Sequence, residues 1–182
     1  MHDTTFTAFV GTRQLFSGPL PDLLRALKAH ADGPPVLVFD DRTGRQHDFD
    51  LRGTLDDVLE RYAPPRKGRG RPRLGVVPRE ITLLPRQWEW LDAQRGGASA
   101  TLRRLVDEAR KNDGGKQERV LAAQSAERFL LAVAGDRPHF EEATRALYAG
   151  DRARFTELVA RYPKDVREHA LRLAEAAFRG EE

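Results

Sequence analysis

The sequence contains no cysteine among its 182 residues. This absence excludes disulfide frameworks, thiol catalysis and cysteine-based zinc sites, and it suits a reducing compartment. No apolar run approaches the length of a membrane span, and no charged segment followed by an apolar run opens the chain, so the sequence indicates neither a membrane helix nor a signal peptide. Because 40% of the residues are hydrophobic, we expect a folded protein. Because the sequence indicates neither a membrane helix nor a signal peptide, we expect it in the cytoplasm.

Recognisable catalytic motifs are also missing. No glycine-rich run is followed by Lys-Ser or Lys-Thr, no Gly-x-Ser-x-Gly occurs, and the five histidines fall in no metal-ligand spacing. One group of side chains suggests a divalent cation and consists of Asp40, Asp41, His47, Asp48 and Asp50. Turn chemistry explains Asp41 together with Gly44, and alternating outward positions explain the later members. We therefore predict no metal, no cofactor and no enzymatic activity.

Positive charge is concentrated in the middle of the chain. Residues 61–111 contain 13 Lys or Arg against five Asp or Glu, whereas residues 1–60 contain six against ten and residues 112–182 contain 12 against 13. Such a concentration is typical of a surface that binds a polyanion, because each neutralised phosphate releases condensed counterions. The basic middle therefore predicts a nucleic-acid partner.

The first third of the chain alternates short strand and helix signals. Alternation over residues 4–10 and the apolar pair Leu15-Phe16 predict a β-hairpin, and a helix follows from Gly18 to about Ala31. Val36–Phe39 and residues 46–51 predict a second hairpin. Thr54 is a favourable N-cap for a short helix that ends at Pro64. We predict that residues 1–63 form a small α+β domain of order ββαββα.

The last third is rich in Ala, Leu and Phe at helical spacing. This pattern predicts helices near residues 117–134, 138–148, 151–161 and 163–179, separated by Gly- and Pro-containing turns. Residues 112–182 therefore read as an all-α domain. Together with the N-terminal part they predict an α+β protein.

A basic tract within the linker 64–78 has the sequence Arg69-Gly70-Arg71-Pro72-Arg73. Proline favours an extended backbone, and an extended cationic ribbon fits the narrow, electronegative minor groove of A·T-rich DNA. The tract resembles an AT-hook. The resemblance implies DNA contacts from Arg66, Lys67, Arg69, Gly70, Arg71, Pro72 and Arg73. A solvated basic linker remains the alternative interpretation.

Residues 79–111 read as a strand followed by two helices. Glu80–Leu83 alternate like a strand, and Pro85 is tolerated in the first turn of the helix after it. Because a lone strand has two unpaired edges, its simplest partner is the same strand of a second chain. This layout resembles the ribbon-helix-helix family of bacterial repressors, in which a two-chain antiparallel ribbon enters the major groove.

The ribbon-helix-helix resemblance implies roles for particular residues. It implies a dimer interface made by Ile81, Leu83, Trp88, Leu91, Leu102, Leu105 and Val106. It also implies DNA contacts from Arg79, Glu80, Thr82 and Ser99, with Ser99 as the N-cap of the second helix. A carboxylate at a groove-facing position is unusual, and a register shifted by one residue turns Arg79, Ile81 and Leu83 outward instead. A module that only dimerises remains open.

These observations predict a dimeric bacterial DNA-binding protein, either a transcriptional regulator or a nucleoid-associated protein. Its partner would be A·T-rich double-stranded DNA. The alternative is a protein-interaction adaptor, in which the strand-helix-helix unit only dimerises and the basic arm binds an acidic protein or RNA. The whole-chain arrangement also resembles a family of uncharacterised bacterial proteins, from which no function follows.

Overall fold

The computed structural model describes residues 4–64, 77 and 79–180. Over these ranges the fold is mixed α and β, with one small antiparallel sheet followed by helices, as predicted. The strands are β1 (Thr5–Val10), β2 (Arg13–Pro19) and β3 (Val36–Asp40). The helices are α1 (Leu20–Ala29), α2 (Leu55–Arg61), α3 (Pro85–Asp92), α4 (Gly97–Asn112), α5 (Lys116–Ala134), α6 (Phe140–Tyr148), α7 (Arg152–Val159) and α8 (Lys164–Ala174), followed by a 3-10 turn (Glu175–Phe178).

β1 is the central strand of the sheet, whose order is β2-β1-β3. The first predicted hairpin is confirmed, with Phe6 opposite Gly18 and Val10 opposite Arg13. β3 pairs antiparallel with the other edge of β1, so that Phe9 lies opposite Leu37. The alternation of β1 places Phe6 and Ala8 in one hydrophobic cluster and Phe9 in the other. One strand therefore serves two apolar layers.

The second predicted hairpin is wrong in its return strand. Over residues 46–51 the chain makes a single bridge to β3, between Gln46 and Phe39. The amide of Asp50 donates instead to the hydroxyl of Tyr62 at 2.7 Å, and Phe49 packs edge-on against the Tyr62 ring. Phe49 and Leu51 nevertheless pack, partly buried, against the hydrophobic cluster that contains Phe6 and Ala8. A side chain rather than a neighbouring strand receives the backbone hydrogen bond, and the observed order is ββαβα.

The helices of the last third follow the predicted pattern closely. α5, α6, α7 and α8 lie within a few residues of the predicted ranges. Asp151 caps α7 by accepting a hydrogen bond from the Arg154 amide at 2.9 Å, which offsets one of the unpaired donors of that helix end. Phe129, Leu130, Phe155 and Val166 are fully buried among these helices.

The first and last thirds of the chain share one core, which differs from the predicted division into separate domains. Phe9 and Phe39 of the sheet belong to the same buried cluster as Phe129 of α5 and Val166 of α8. Contacts divide the chain into two compact units, Met1–Ala63 with Gly115–Glu182, called here the core unit, and Pro64–Gly114, called the hairpin unit. Sequence patterns show which residues are apolar but not which apolar faces meet.

The hairpin unit contains α3 and α4, as the sequence predicted. The predicted strand before them is not formed within the single chain, because residues 79–84 carry no strand assignment. Among the described residues, no backbone group of residues 80–83 is hydrogen-bonded to other backbone. Their pairing with a second chain therefore stays a prediction.

Candidate dimerisation and nucleic-acid interface

The start of α3 is fixed by one side chain. Pro85 occupies its first turn, where the missing amide hydrogen costs nothing. Leu84 before it is extended, with φ −67° and ψ 150°. The amide of Leu84 donates to Oε1 of Gln87 at 2.9 Å. The amide hydrogen of Leu84 is consequently used within its own chain, whereas the amides of residues 80–83 have no backbone acceptor among the described residues.

α4 begins three residues earlier than expected, because its N-cap is Gly96 and not Ser99. Gly96 precedes it in the left-handed conformation, with φ 96°, and no side chain caps this end. The prediction that Ser99 is the N-cap is therefore wrong. Ser99 lies inside the first turn, where its hydroxyl accepts a hydrogen bond from Arg103 at 3.3 Å. Two consecutive glycines, both at positive φ, begin this helix without a capping oxygen.

α3 and α4 pack on each other around very few buried residues. Within the described part of the hairpin unit, only Leu91 and Thr101 are buried, while Leu83, Trp88 and Leu102 are half-buried. Between the helices lies an open, mostly apolar groove of about 440 Å³, lined by Leu83, Arg86, Gln87, Trp90, Leu91, Leu102 and Leu105. Four of the predicted interface residues, Leu83, Leu91, Leu102 and Leu105, line this groove, whereas Ile81, Trp88 and Val106 do not.

Large apolar side chains remain exposed around the hairpin. Relative exposures are 48% for Ile81, 53% for Leu84, 52% for Trp90 and 56% for Val106. In α4, Leu102, Leu105, Val106 and Ala109 recur at helical spacing and form one apolar face. An apolar face of this kind on a small unit is a typical site of association.

The predicted DNA-contacting residues of the module are accessible. Arg79, Glu80, Thr82 and Ser99 are all exposed. Residues 79–111 contain seven Lys or Arg against five Asp or Glu, and Arg104 pairs with Glu108 at 2.8 Å. The strongest concentration of charge is the tract itself. Its predicted contacts, Arg66, Lys67, Arg69, Gly70, Arg71, Pro72 and Arg73, lie outside the described residues.

The core unit contains a buried polar cluster that was not predicted from the sequence. His169 of α8 is fully buried, and its Nε2 lies 3.7 Å from Oδ1 of Asp41. The other oxygen of Asp41 accepts a hydrogen bond from the Thr7 hydroxyl at 3.1 Å, and the Thr7 hydroxyl also contacts that of Ser17 at 2.9 Å. The cluster joins the turn after β3 to the C-terminal helices.

The protonation of His169 follows from its neighbours. Burial, together with the adjacent Arg172 guanidinium, lowers the pKa of His169 to about 3. Because a guanidinium can only donate, Nδ1 of His169 accepts from Arg172 and the ring proton lies on Nε2, facing Asp41. Burial raises the pKa of Asp41, although the Thr7 and Thr5 hydroxyls oppose this shift. The contact is therefore between a neutral imidazole and a partly desolvated carboxyl group. Asp41 and His169 are 128 positions apart in the sequence, so no local sequence pattern indicates that they meet.

The residues considered for a metal have separate roles. Asp40 accepts hydrogen bonds from the amides of Arg42 and Thr43 and so caps the turn, and Asp50 binds Arg52. The sequence interpretation assigned the turn to Asp41, whereas Asp40 performs it. Within the described ranges, no three or more His, Asp or Glu side chains form a metal-binding group. Across the same ranges, no helix is both long and apolar enough to cross a bilayer.

The fold and site thus define an α+β protein that carries a helical hairpin with an uncovered apolar face. The chain belongs to DUF2239, a family described as an uncharacterized protein conserved in bacteria, whose profile matches residues 5–174. This confirms the whole-chain resemblance noted from the sequence. No curated protein and no solved structure matches the chain.

Proposed function

We propose that this protein is a dimeric bacterial DNA-binding protein, acting in transcriptional regulation or nucleoid organisation. The hairpin unit would form the dimer, and the basic tract before it would bind the minor groove. The observation that carries the proposal is the exposed apolar face of α3 and α4, which lies directly after the most basic segment of the chain.

The hairpin unit has few buried residues and a segment without backbone partners among the described residues, and both features support dimerisation. In the described part of the hairpin unit only two residues are buried, too few to offset the conformational entropy of ordering two helices. Among the described residues, the backbone of residues 80–83 also has no backbone hydrogen-bonding partner, and an extended segment of this kind pairs readily with another strand. A second copy related by a two-fold axis supplies both, since it brings an identical strand edge and an identical apolar face.

DNA binding is supported by the composition of the tract. Residues 66–73 contain five Lys or Arg and no acidic residue, and glycine adds no side-chain bulk while proline favours an extended backbone. Arginine gains most in a narrow minor groove, where the electrostatic potential is most negative. A·T-rich duplex is therefore the expected ligand. In a dimer, two such arms would engage the same duplex and raise its apparent affinity.

The test is a fluorescence-anisotropy titration of the purified protein against A·T-rich duplex, G·C-rich duplex and single-stranded RNA at several salt concentrations. We expect tightest binding to the A·T-rich duplex and a steep loss of affinity with salt. The double variant Arg69→Ala/Arg71→Ala should abolish the A·T preference and flatten the salt dependence. The matched control is Arg25→Ala/Arg145→Ala, which removes the same charge from exposed positions of the core unit.

Equal affinity of both double variants for the A·T-rich duplex would contradict the arm. Leu83→Asp should convert the dimer to a monomer and weaken DNA binding by removing the second half-site. If Leu83→Asp stays dimeric in sedimentation equilibrium and binds DNA unchanged, the hairpin is not the dimerisation unit.

The adaptor function is the second candidate, and the acidic residues of the module favour it. Glu80 is exposed at the start of the 80–83 segment, where a carboxylate would be repelled by phosphate. Preferential binding to RNA or to an acidic peptide, with no duplex preference, would favour the adaptor over the DNA-binding protein.

A further inference from the structure

The segment between Pro78 and Pro85 has the features of half of a symmetric ribbon. Ile81 and Thr82 are exposed, Leu83 is half-buried, and the backbone of residues 80–83 has no backbone partner within the described residues. We propose that two copies of this chain pair antiparallel through this segment with Thr82 opposite the partner's Thr82. This inference rests on the proposed dimer and specifies its register.

Symmetry limits the choice of register. In an antiparallel ladder, hydrogen-bonded and non-hydrogen-bonded residue pairs alternate along the strands. If residue 81 faced residue 82 of the partner, the two-fold axis would make two neighbouring pairs identical, which contradicts the alternation. One residue must therefore lie opposite the same residue of the partner chain. Within this short segment the central candidates are Ile81 and Thr82.

The cap of α3 decides which residues hydrogen-bond across the ribbon. The amide of Leu84 already donates to Gln87, so Leu84 and the other even-numbered residues cannot form the hydrogen-bonded pairs. The odd-numbered residues Ile81 and Leu83 must form them. Thr82 then belongs to a non-hydrogen-bonded pair, in which opposing Cα atoms lie about 4.5 Å apart.

Side-chain chemistry selects Thr82 as the central residue. With Thr82 opposite itself, Ile81 lies opposite the partner's Leu83, and four apolar side chains cover one face of the ribbon. With Ile81 opposite itself, Leu83 would instead face the partner's Arg79 on that same face. The first arrangement keeps the guanidinium off the apolar face and places two threonines side by side.

The register also gives Glu80 a role other than contacting DNA. Glu80 lies opposite the partner's Leu84, two residues from the partner's Arg86. Neither Glu80 nor Arg86 makes an ion pair among the described residues. Their side chains are long enough to meet across the ribbon end. The acidic residue would then pair between subunits, and Thr82 alone would occupy the centre of the outward face.

The first test uses disulfide cross-linking, for which the absence of native cysteine gives a clean background. Thr82→Cys and Ile81→Cys are prepared separately in the full chain and oxidised gently at a concentration where sedimentation shows dimer. Thr82→Cys should become the disulfide-linked dimer. Ile81→Cys should not form this dimer, because the two residues 81 are diagonal neighbours in this register. Their Cα atoms would lie about 7–8 Å apart, beyond the usual Cα separation of a disulfide.

A mixture of Ile81→Cys and Leu83→Cys should form the mixed disulfide that neither gives alone. The proposal is overturned if Ile81→Cys cross-links in preference to Thr82→Cys, or if a Thr82→Cys dimer stays reduced. If the wild-type protein is monomeric at every concentration, the proposed dimer is wrong and the register fails with it. If the wild type is a dimer but the cross-links differ from those expected, only the register is wrong.

The second test exchanges the charges at the ribbon end. Glu80→Arg and Arg86→Glu should each raise the dimer dissociation constant by about three- to tenfold, and the double variant should restore it. Arg95→Glu, in the turn between α3 and α4, is the matched control for a single reversed charge. A double variant no better than either single variant would overturn the Glu80–Arg86 pairing.

Discussion

The two compact units differ in how they bury their apolar residues. In the core unit, Phe9, Phe39, Phe129 and Phe155 are all inaccessible to solvent. In the described part of the hairpin unit, Leu91 is the single large apolar side chain that is buried, whereas Ile81 and Trp90 are about half exposed. The core unit buries a cluster of large aromatic side chains within one chain, while the hairpin unit leaves most of its large apolar side chains at a surface suited to association.

The aromatic residues make this contrast measurable. Both tryptophans, Trp88 and Trp90, belong to the hairpin unit, and all three tyrosines belong to the core unit. Tryptophan fluorescence therefore reports on the hairpin, and tyrosine signals report on the shared core. Each of the following changes can be followed with the probe of its own unit.

The largest loss of folding stability is expected from a substitution in the core that the sheet and the C-terminal helices share. Phe129 contacts Phe9, Phe39 and His169, with ring centroids 4.4–5.1 Å away. Phe129→Ala should lower the free energy of unfolding by about 3–5 kcal/mol, because it removes apolar contacts and leaves a cavity. Urea unfolding followed by tyrosine fluorescence measures this loss. Leu131→Ala, an exposed position of the same helix, should cost far less, and equal losses would contradict a shared core.

The order of most elements followed from local patterns, since helix spacing and capping residues act over a few positions. α1, α2 and the four helices of the last third were all predicted, as were three strands. What local patterns missed depends on distant contacts. Phe39 and Phe129 are 90 positions apart, and nothing near either residue indicates that they meet. Residues 46–51 were wrongly predicted as a full return strand because alternation reports burial and not hydrogen bonding; only their beginning bonds to β3.

The candidate site was predictable in the same partial way. Apolar spacing identified Leu91, Leu102 and Leu105, which line the groove of the hairpin. Ser99 was misplaced because a Ser residue before an apolar run resembles an N-cap, whereas the positive-φ glycines already begin the helix. The Asp41–His169 contact had no sequence signal, because it arises only when the sheet packs on α8.

The next largest loss of stability is expected in the turn after β3, which packs against α5 of the core unit. Gly44 has φ +65°, and a Cβ atom there would lie 2.2 Å from the carbonyl oxygen of Ser125 in α5. Gly44→Ala should combine about 1–2 kcal/mol of backbone strain with about 1–3 kcal/mol of overpacking. Gly150→Ala is the matched control, with φ +70° and open space around it. Thermal unfolding should show a clearly larger loss for Gly44→Ala, and equal losses would mean that the turn does not press on α5.

A moderate effect is expected from the buried imidazole. Folding lowers the pKa of His169 from its ordinary 6.5 to about 3. Below pH 6.5 the unfolded chain therefore binds a proton that the folded chain does not, and stability falls as the pH decreases. Between pH 7 and 5 the loss from this group is about 2 kcal/mol. The raised pKa of Asp41 acts in the opposite direction, since the folded protein binds that proton more readily.

The contribution of His169 is isolated by comparing variants. His169→Phe and His169→Gln both remove the titrating ring, and only the second retains a polar group toward Asp41. The stability difference between wild type and each variant, measured by urea unfolding from pH 7 to 5, should shrink as the pH falls. A difference that stays constant with pH would show that the imidazole does not titrate on unfolding.

The smallest effect compares the helix starts of the two units. In the core unit, the Thr54 hydroxyl accepts from the Asp57 amide, and Asp57 accepts from the Thr54 amide. Thr54→Ala should cost about 1 kcal/mol, because it leaves the Asp57 amide in the first turn of α2 without its capping oxygen. Ser99→Ala in α4 should change stability by less than about 0.5 kcal/mol, since that hydroxyl caps no backbone donor. Tyrosine and tryptophan signals, respectively, follow the two variants. A Ser99→Ala loss as large as that of Thr54→Ala would mean that α4 begins at Ser99 when the hairpin unit is assembled, and that its free amides are available there for a phosphate.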